Sequence, residues 1–136
     1  MNKKQYLKQG YRIKKELEHD KDMLKELRQN LDGLKAIQLS EKVQGGKIPD
    51  DSEMVARMDK IIELEKKINF KMCSLIDFKN ELLKKLQAIE DSDERMLLEK
   101  RYILNEKWEE IAEKLYCSLS QVHRVHRRAL KNFVII

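Results

Sequence analysis

Apolar residues in the first part of the chain recur at the spacing of a helical seam. Tyr6, Ile13, Leu27 and Leu34 share one heptad position, and Leu17, Leu24 and Leu31 occupy the other, so a long helix is predicted over about four heptads. Gly10 and Asp20 interrupt the seam, which predicts looser turns at the start than between Leu24 and Leu34. The pattern stops near Ile37. From Ser40 to Asp51 the chain carries two of its four glycines and its only proline, so a loop is expected over about 38–51, with a mobile tip.

Asp50 and Glu53 have the spacing of a capping box, and a second long apolar pattern follows. Met54, Ile61, Ile68, Leu75, Leu82 and Ile89 fall every seventh residue, flanked on one side by Val55, Ile62, Ile76 and Leu83 and on the other by Met58, Met72 and Leu86. At ~1.5 Å per residue each helix is roughly 50 Å long, so the two match in length as an antiparallel hairpin covering residues 1–90. The apolar face of the second helix is wider than one partner helix covers. The surplus predicts contact with the C-terminal module or with a second copy of the chain. Met54, Met58, Ile61, Ile68 and Leu75 are the expected interface of a homodimer.

Asp91 and Glu94 repeat the capping-box spacing and open a third helix through Met96, Leu97, Leu98, Tyr102 and Ile103, broken by Asn105 and Glu106. Trp108, Ile111, Ala112 and Leu115 mark a short fourth helix, and Ser118 with Gln121 forms an S-x-x-Q capping box before a fifth. Three short helices in residues 91–136, the last of them basic, are the pattern of a helix-turn-helix. The expected fold is therefore all-α: a long two-helix hairpin followed by a three-helix DNA-binding domain.

Composition narrows the class. With 6% aromatic residues, 4 Gly and 1 Pro in 136 residues, strand and turn formers are too scarce for a sandwich or barrel, while 41% apolar content is too high for a disordered chain. The longest uninterrupted apolar run is Phe133 to Ile136, far below the ~20 residues of a membrane span, so no membrane partner is expected. No apolar stretch follows the basic start, and a cytoplasmic location is expected. Cys73 and Cys117 are read as free thiols. His123 and His126 with Cys117 lack a fourth ligand, so no metal site is expected there. Neither a glycine-rich phosphate loop nor a nucleophile with a base at a defined spacing is present, so no catalytic residue, enzymatic activity or cofactor is expected.

Charge distribution says more than the net of +5. From Lys114 to Ile136 there is no acidic residue, whereas Lys114, Arg124, Arg127, Arg128 and Lys131 are basic; residues 1–113 hold 24 basic and 24 acidic groups. The whole positive excess lies in the last 23 residues, which suits contact with phosphates.

Leu98, Arg101, Tyr102, then Trp108, Glu109, Glu110, Ile111, Ala112 and Leu115, then Ser118, Val122, Val125, Ala129 and Leu130 resemble region 4 of sigma-70-type factors. The run is more similar still to the small ArpU- and RinA-type late-gene activators of phages and prophages in low-GC Gram-positive bacteria, and it covers about residues 92 to 133. The resemblance implies promoter DNA as a partner and RNA polymerase as a second one. It departs from the pattern at Tyr116, where glycine is common, and at Lys107, where a Ser or Thr cap is usual.

Helical geometry supports the same assignment independently. At ~100° per residue, Val122, Val125, Ala129 and Phe133 cluster on one face of the last helix, and Ser120, Arg124, Arg127 and Lys131 on the other. An α-helix fits the major groove, so Leu119, Ser120, Gln121, His123 and Arg124 near its start are the base-reading candidates, and Arg127, Arg128 and Lys131 the phosphate ligands. His126 lies near the apolar stripe and is read as a packing residue, with Trp108 anchoring the fourth helix. Two other readings stay open: a coiled-coil adaptor or phage assembly protein with an incidental basic tail, and a sigma-appropriating factor that binds polymerase and barely touches DNA.

Overall fold

Every element described is helical. The computed structural model describes residues 1–44 and 51–136, without the side chains of residues 38, 41–44 and 51. α1 spans Lys3–Leu7, α2 Gln9–Gln44, α3 Asp51–Leu86 and α4 Ser92–Leu98; a π-helical turn, Glu99–Ile103, continues α4; α5 spans Trp108–Lys114 and α6 Leu119–Asn132. None of the described helices is long and apolar enough to cross a membrane. The expected loop over 38–51 is shorter on both sides: residues 38–44 belong to α2 and Asp51 to α3. Helix formers carry α2 on as far as the two glycines that begin at Gly45. The rest of the expected loop, residues 45–50, lies outside the described residues.

The short helices start and stop for local reasons. Asn2 caps α1, its side chain accepting from the Gln5 N–H at 2.8 Å, and Asp91 caps α4 by accepting from the Asp93 and Glu94 N–H groups at 2.9 and 3.1 Å. In the π-helical turn the Leu104 N–H reaches the Glu99 carbonyl at 3.0 Å, and Asn105 at φ 56° then turns the chain. α5 closes with the Cys117 N–H on the Ala112 carbonyl at 3.0 Å across Tyr116, which stands at φ 54°. α5 begins without a side-chain cap; the Lys107 N–H donates to Glu110 at 3.4 Å.

Two compact units result, one formed by Lys15–Cys73 and the other by Met1–Lys14 with Ser74–Ile136. The division expected at residue 90 is therefore replaced by one in which the chain's first turns and the last part of α3 share a core with residues 91–136. Apolar burial explains this: Tyr6, Leu7, Phe78, Leu82, Leu86 and Ile89 join Leu97, Leu98, Tyr102, Ile111, Ala112, Val122, Ala129 and Phe133 in one cluster. Tyr6 links the parts, its ring 5.6 Å from Phe78 and 5.9 Å from Phe133, with its hydroxyl accepting from Lys85 Nζ at 2.8 Å. Gly10 belongs to this packing as well. A Cβ there would stand 3.0 Å from Phe78 Cε1, so the residue is small because a ring occupies the space.

In the unit Lys15–Cys73, Leu17, Leu31, Ile61 and Ile68 are buried. Asp20 is buried beside them and binds Lys71 at 2.7 Å, while Arg28 pairs with Glu65. The Lys71 hydrogen bond, more than the two lysine charges nearby, holds the Asp20 carboxyl below its ordinary value. The interruptions at Gly10 and Asp20, expected to loosen the first turns, are thus a close approach and an ion pair.

Candidate functional site

α6 presents two unlike faces. Val122, His126 and Ala129 are buried against α4 and α5, and Phe133 follows as the fully buried C-cap. Leu119, Ser120, Gln121, His123, Arg124, Arg127 and Lys131 are exposed on the other side. The helix starts where the S-x-x-Q spacing places it: Ser118 Oγ accepts from the Gln121 N–H at 3.2 Å and Gln121 Oε1 accepts from the Ser118 N–H at 3.0 Å. The carbonyl oxygen of Gln121 is therefore engaged in the cap, and Gln121 is the least available of the five base-reading candidates.

The inner face is held by an aromatic cluster. His126 Nε2 and Tyr102 Oη share a hydrogen bond of 2.7 Å, and the Trp108 ring lies 4.8 Å from His126 and 5.0 Å from His123. The Arg101 guanidinium covers Trp108 at 4.4 Å while donating to the Glu106 carbonyl at 2.9 Å. Burial first, then the charges of Lys4, His123 and Arg101, push the His126 imidazole down to about 4. Burial likewise raises the Tyr102 phenol. Both groups are neutral near pH 7, and His126 packs rather than projecting outward.

The three phosphate candidates differ in their surroundings. Arg127 and Lys131 are exposed with no carboxylate paired to them among the described residues. Arg128 instead sends Nε toward Glu94 at 3.5 Å. Glu94, expected to complete a capping box with Asp91, is buried and also accepts from Asn132 Nδ2 at 2.8 Å. It ties α4 to the end of α6, and it pairs with Arg128, whose side chain stays more than half exposed. At that same end Lys3 Nζ donates to the Leu130 and Lys131 carbonyls at 2.7 and 3.2 Å, a cation on the negative pole of the helix. Nothing at sequence level marked Lys3, which stands more than 120 residues away.

The expected dimer residues split. Ile61 and Ile68 are only 8% and 6% exposed within the single chain, so they face its own interior and are unavailable to a second copy. Met54 and Leu75 are half-buried, whereas Met58 is exposed together with Val55, Ile62, Met72 and Ile76 on α3. At ~100° per residue Met58 and Met72 lie between the Ile61–Ile68 row and the row of Val55, Ile62 and Ile76, so the two sets expected on opposite flanks share one side of α3, and that side is the uncovered one.

A family model described as Protein of unknown function (DUF1492) matches residues 34–133. No curated protein and no solved structure matches the chain.

Proposed function

The chain belongs to the DUF1492 family, and from that premise we propose that it is a sequence-specific, double-stranded DNA-binding regulator of transcription, of phage or prophage type. In this reading α5 and α6 form a helix-turn-helix across Leu115–Ser118, α6 enters the major groove, and α2 with α3 forms an antiparallel hairpin that serves dimerisation or a protein partner, RNA polymerase included.

The observation that carries it is the outer face of α6. Leu119, Ser120, His123, Arg124, Arg127 and Lys131 stand exposed there, no acidic residue occurs from Lys114 onward, and the opposite face is anchored by buried Val122, His126 and Ala129. A helix fixed on one side and carrying Ser, His and Arg near its N-terminal half on the other meets the requirements of groove reading. Arg124 lies six residues past the Ser118 cap and reads bases; Arg127 and Lys131, a turn or two later, hold phosphates.

Arg124→Ala tests this. It is expected to cost ~1 to 3 kcal/mol on the preferred site and almost nothing on random duplex at one fixed salt concentration. An equal loss on both would make Arg124 a phosphate ligand and remove the base reading from it. A second reading, a helical adaptor whose basic end is incidental, draws on the exposed row Val55, Met58, Ile62 and Ile76. It requires no DNA affinity beyond simple charge attraction, so the same titrations separate the two.

A further inference from the structure

The uncovered side of α3 repeats with the spacing of a second seam. Val55, Met58, Ile62, Glu65, Asn69 and Met72 follow one another at alternating steps of three and four residues, the a and d positions of a heptad repeat. The whole row lies within the unit Lys15–Cys73. Val55, Met58, Ile62 and Met72 are between 41% and 55% exposed, Asn69 is exposed with them, and the charge of Glu65 is already answered by Arg28. Ile61 and Ile68, the neighbouring heptad row, are buried in the chain's own interior, so the chain leaves this one open. Four large apolar side chains in line on one helix form a strip whose removal from water is favourable.

The row is complementary to its own reverse. A two-fold axis at the level of Glu63 and Leu64 lays a second α3 antiparallel to the first, setting Val55 against Met72, Met58 against Asn69 and Ile62 against the Arg28-paired Glu65. Asp59 and Lys66 border the row on one flank, a heptad apart and both exposed. Under that axis the Asp59 of each copy stands opposite the Lys66 of the other, which gives two ion pairs in one interface. Among the described residues no ion pair within the chain engages either of them. A parallel pair would set Glu65 against Glu65, and it would give neither flanking charge an opposite partner, because the facing positions hold Ile61 and Ile68. A row shaped for a foreign protein has no need to match its own reverse. That match singles out a second copy of this chain.

We propose that two copies of the chain pair through this row, α3 against α3 in antiparallel register, with Asp59 and Lys66 fixing the direction. Rim charges of this kind set orientation more than they add affinity, and the apolar strip supplies the attraction. The pairing gives the hairpin one of its two proposed roles and stands whether or not α6 reads DNA. The strip on which the adaptor reading draws is then occupied by the protein itself.

Sedimentation equilibrium of the full-length protein without DNA, over the micromolar range, tests it. A reversible monomer–dimer equilibrium is expected. Ile62→Lys puts a charge at an exposed position in the middle of the row. It is expected to leave the far-UV circular dichroism unchanged and to raise the dissociation constant by about tenfold or more. Asp59→Lys and Lys66→Asp are each expected to weaken the dimer, because the reversed charge meets its like, whereas the two together restore the parent constant. Three results would each overturn the proposal: a monomer at every concentration, which would leave the row to a different protein; a dimer that Ile62→Lys does not weaken; or a double reversal no tighter than the single ones, which would rule out this register. No DNA is present, so failure here leaves the reading of α6 untouched.

Discussion

Acid is expected to weaken the fold through His126, in a pH window and by an amount that the structure sets. The imidazole is 9% exposed, hydrogen-bonded to Tyr102 and flanked by Trp108, with Lys4, His123 and Arg101 near enough to oppose its charge. Folding therefore lowers its value from 6.5 to about 4. Between these two the unfolded chain binds a proton that the native state does not, so stability is fully present above about pH 6.5. It falls as the pH drops and the loss is complete below about pH 4. At ~1.4 kcal/mol per unit the difference amounts to ~3 kcal/mol, a large share of the ~5 to 15 kcal/mol that holds a typical domain folded. The perturbation is His126→Gln, which retains hydrogen-bonding capacity and cannot titrate. Urea unfolding of both proteins, followed by far-UV circular dichroism across this window, gives the difference in stability at each pH. Carboxylates, including the Asp20–Lys71 pair, are common to both and cancel. The parent is expected to lose ~3 kcal/mol more than the variant on going from about pH 7 to about pH 4. An NMR titration is expected to show one imidazole with a midpoint near 4. A pH-independent difference, or no imidazole titrating well below 6.5, would refute the reasoning.

Glycine replacements at two helical positions are expected to act in opposite directions. Gly33→Ala, where an added Cβ meets nothing within 4 Å, stabilises by ~0.5 to 1 kcal/mol, whereas Gly10→Ala drives a methyl against the packed Phe78 ring at 3.0 Å and destabilises by ~1 kcal/mol, both read by denaturant unfolding. Tyr116→Gly relieves a left-handed backbone at a side chain that is 95% exposed, and it is expected to raise stability by ~1 kcal/mol in the same assay; a loss would mean the ring makes a contact that holds the turn. Arg127→Ala is expected to weaken binding to all duplexes about equally and to make the log–log salt slope shallower by about one unit; an unchanged slope would remove Arg127 from the phosphate ligands.

What could be read from sequence was local. The Ser118–Gln121 cap, the break after Ile103, the apolar stripe of α6 and the inward place of His126 all depend on residues within one or two turns of each other, where helical spacing and hydrogen-bonding groups decide the outcome. What could not be read depended on the partner. Heptad spacing on α3 marks Ile61 and Val55 as apolar alike, but only the packed chain shows that Ile61 is covered and Val55 is not. Gly10 and Asp20 looked like interruptions because Phe78 and Lys71, more than 50 residues away, were needed to explain them. Glu94 had the spacing of a cap partner, yet a buried carboxylate beside Arg128 and Asn132 gains more from those two groups than from one backbone N–H.

The central claim is that the exposed face of α6 reads base sequence. Selection of bound duplexes from a random-sequence pool by the purified full-length protein, run beside Arg124→Ala, tests it most directly. The account predicts one enriched motif for the parent protein and loss of at least one specified position for the variant, with non-specific affinity retained. A pool that remains random after repeated selection, or the same motif at the same strength from Arg124→Ala, would contradict it.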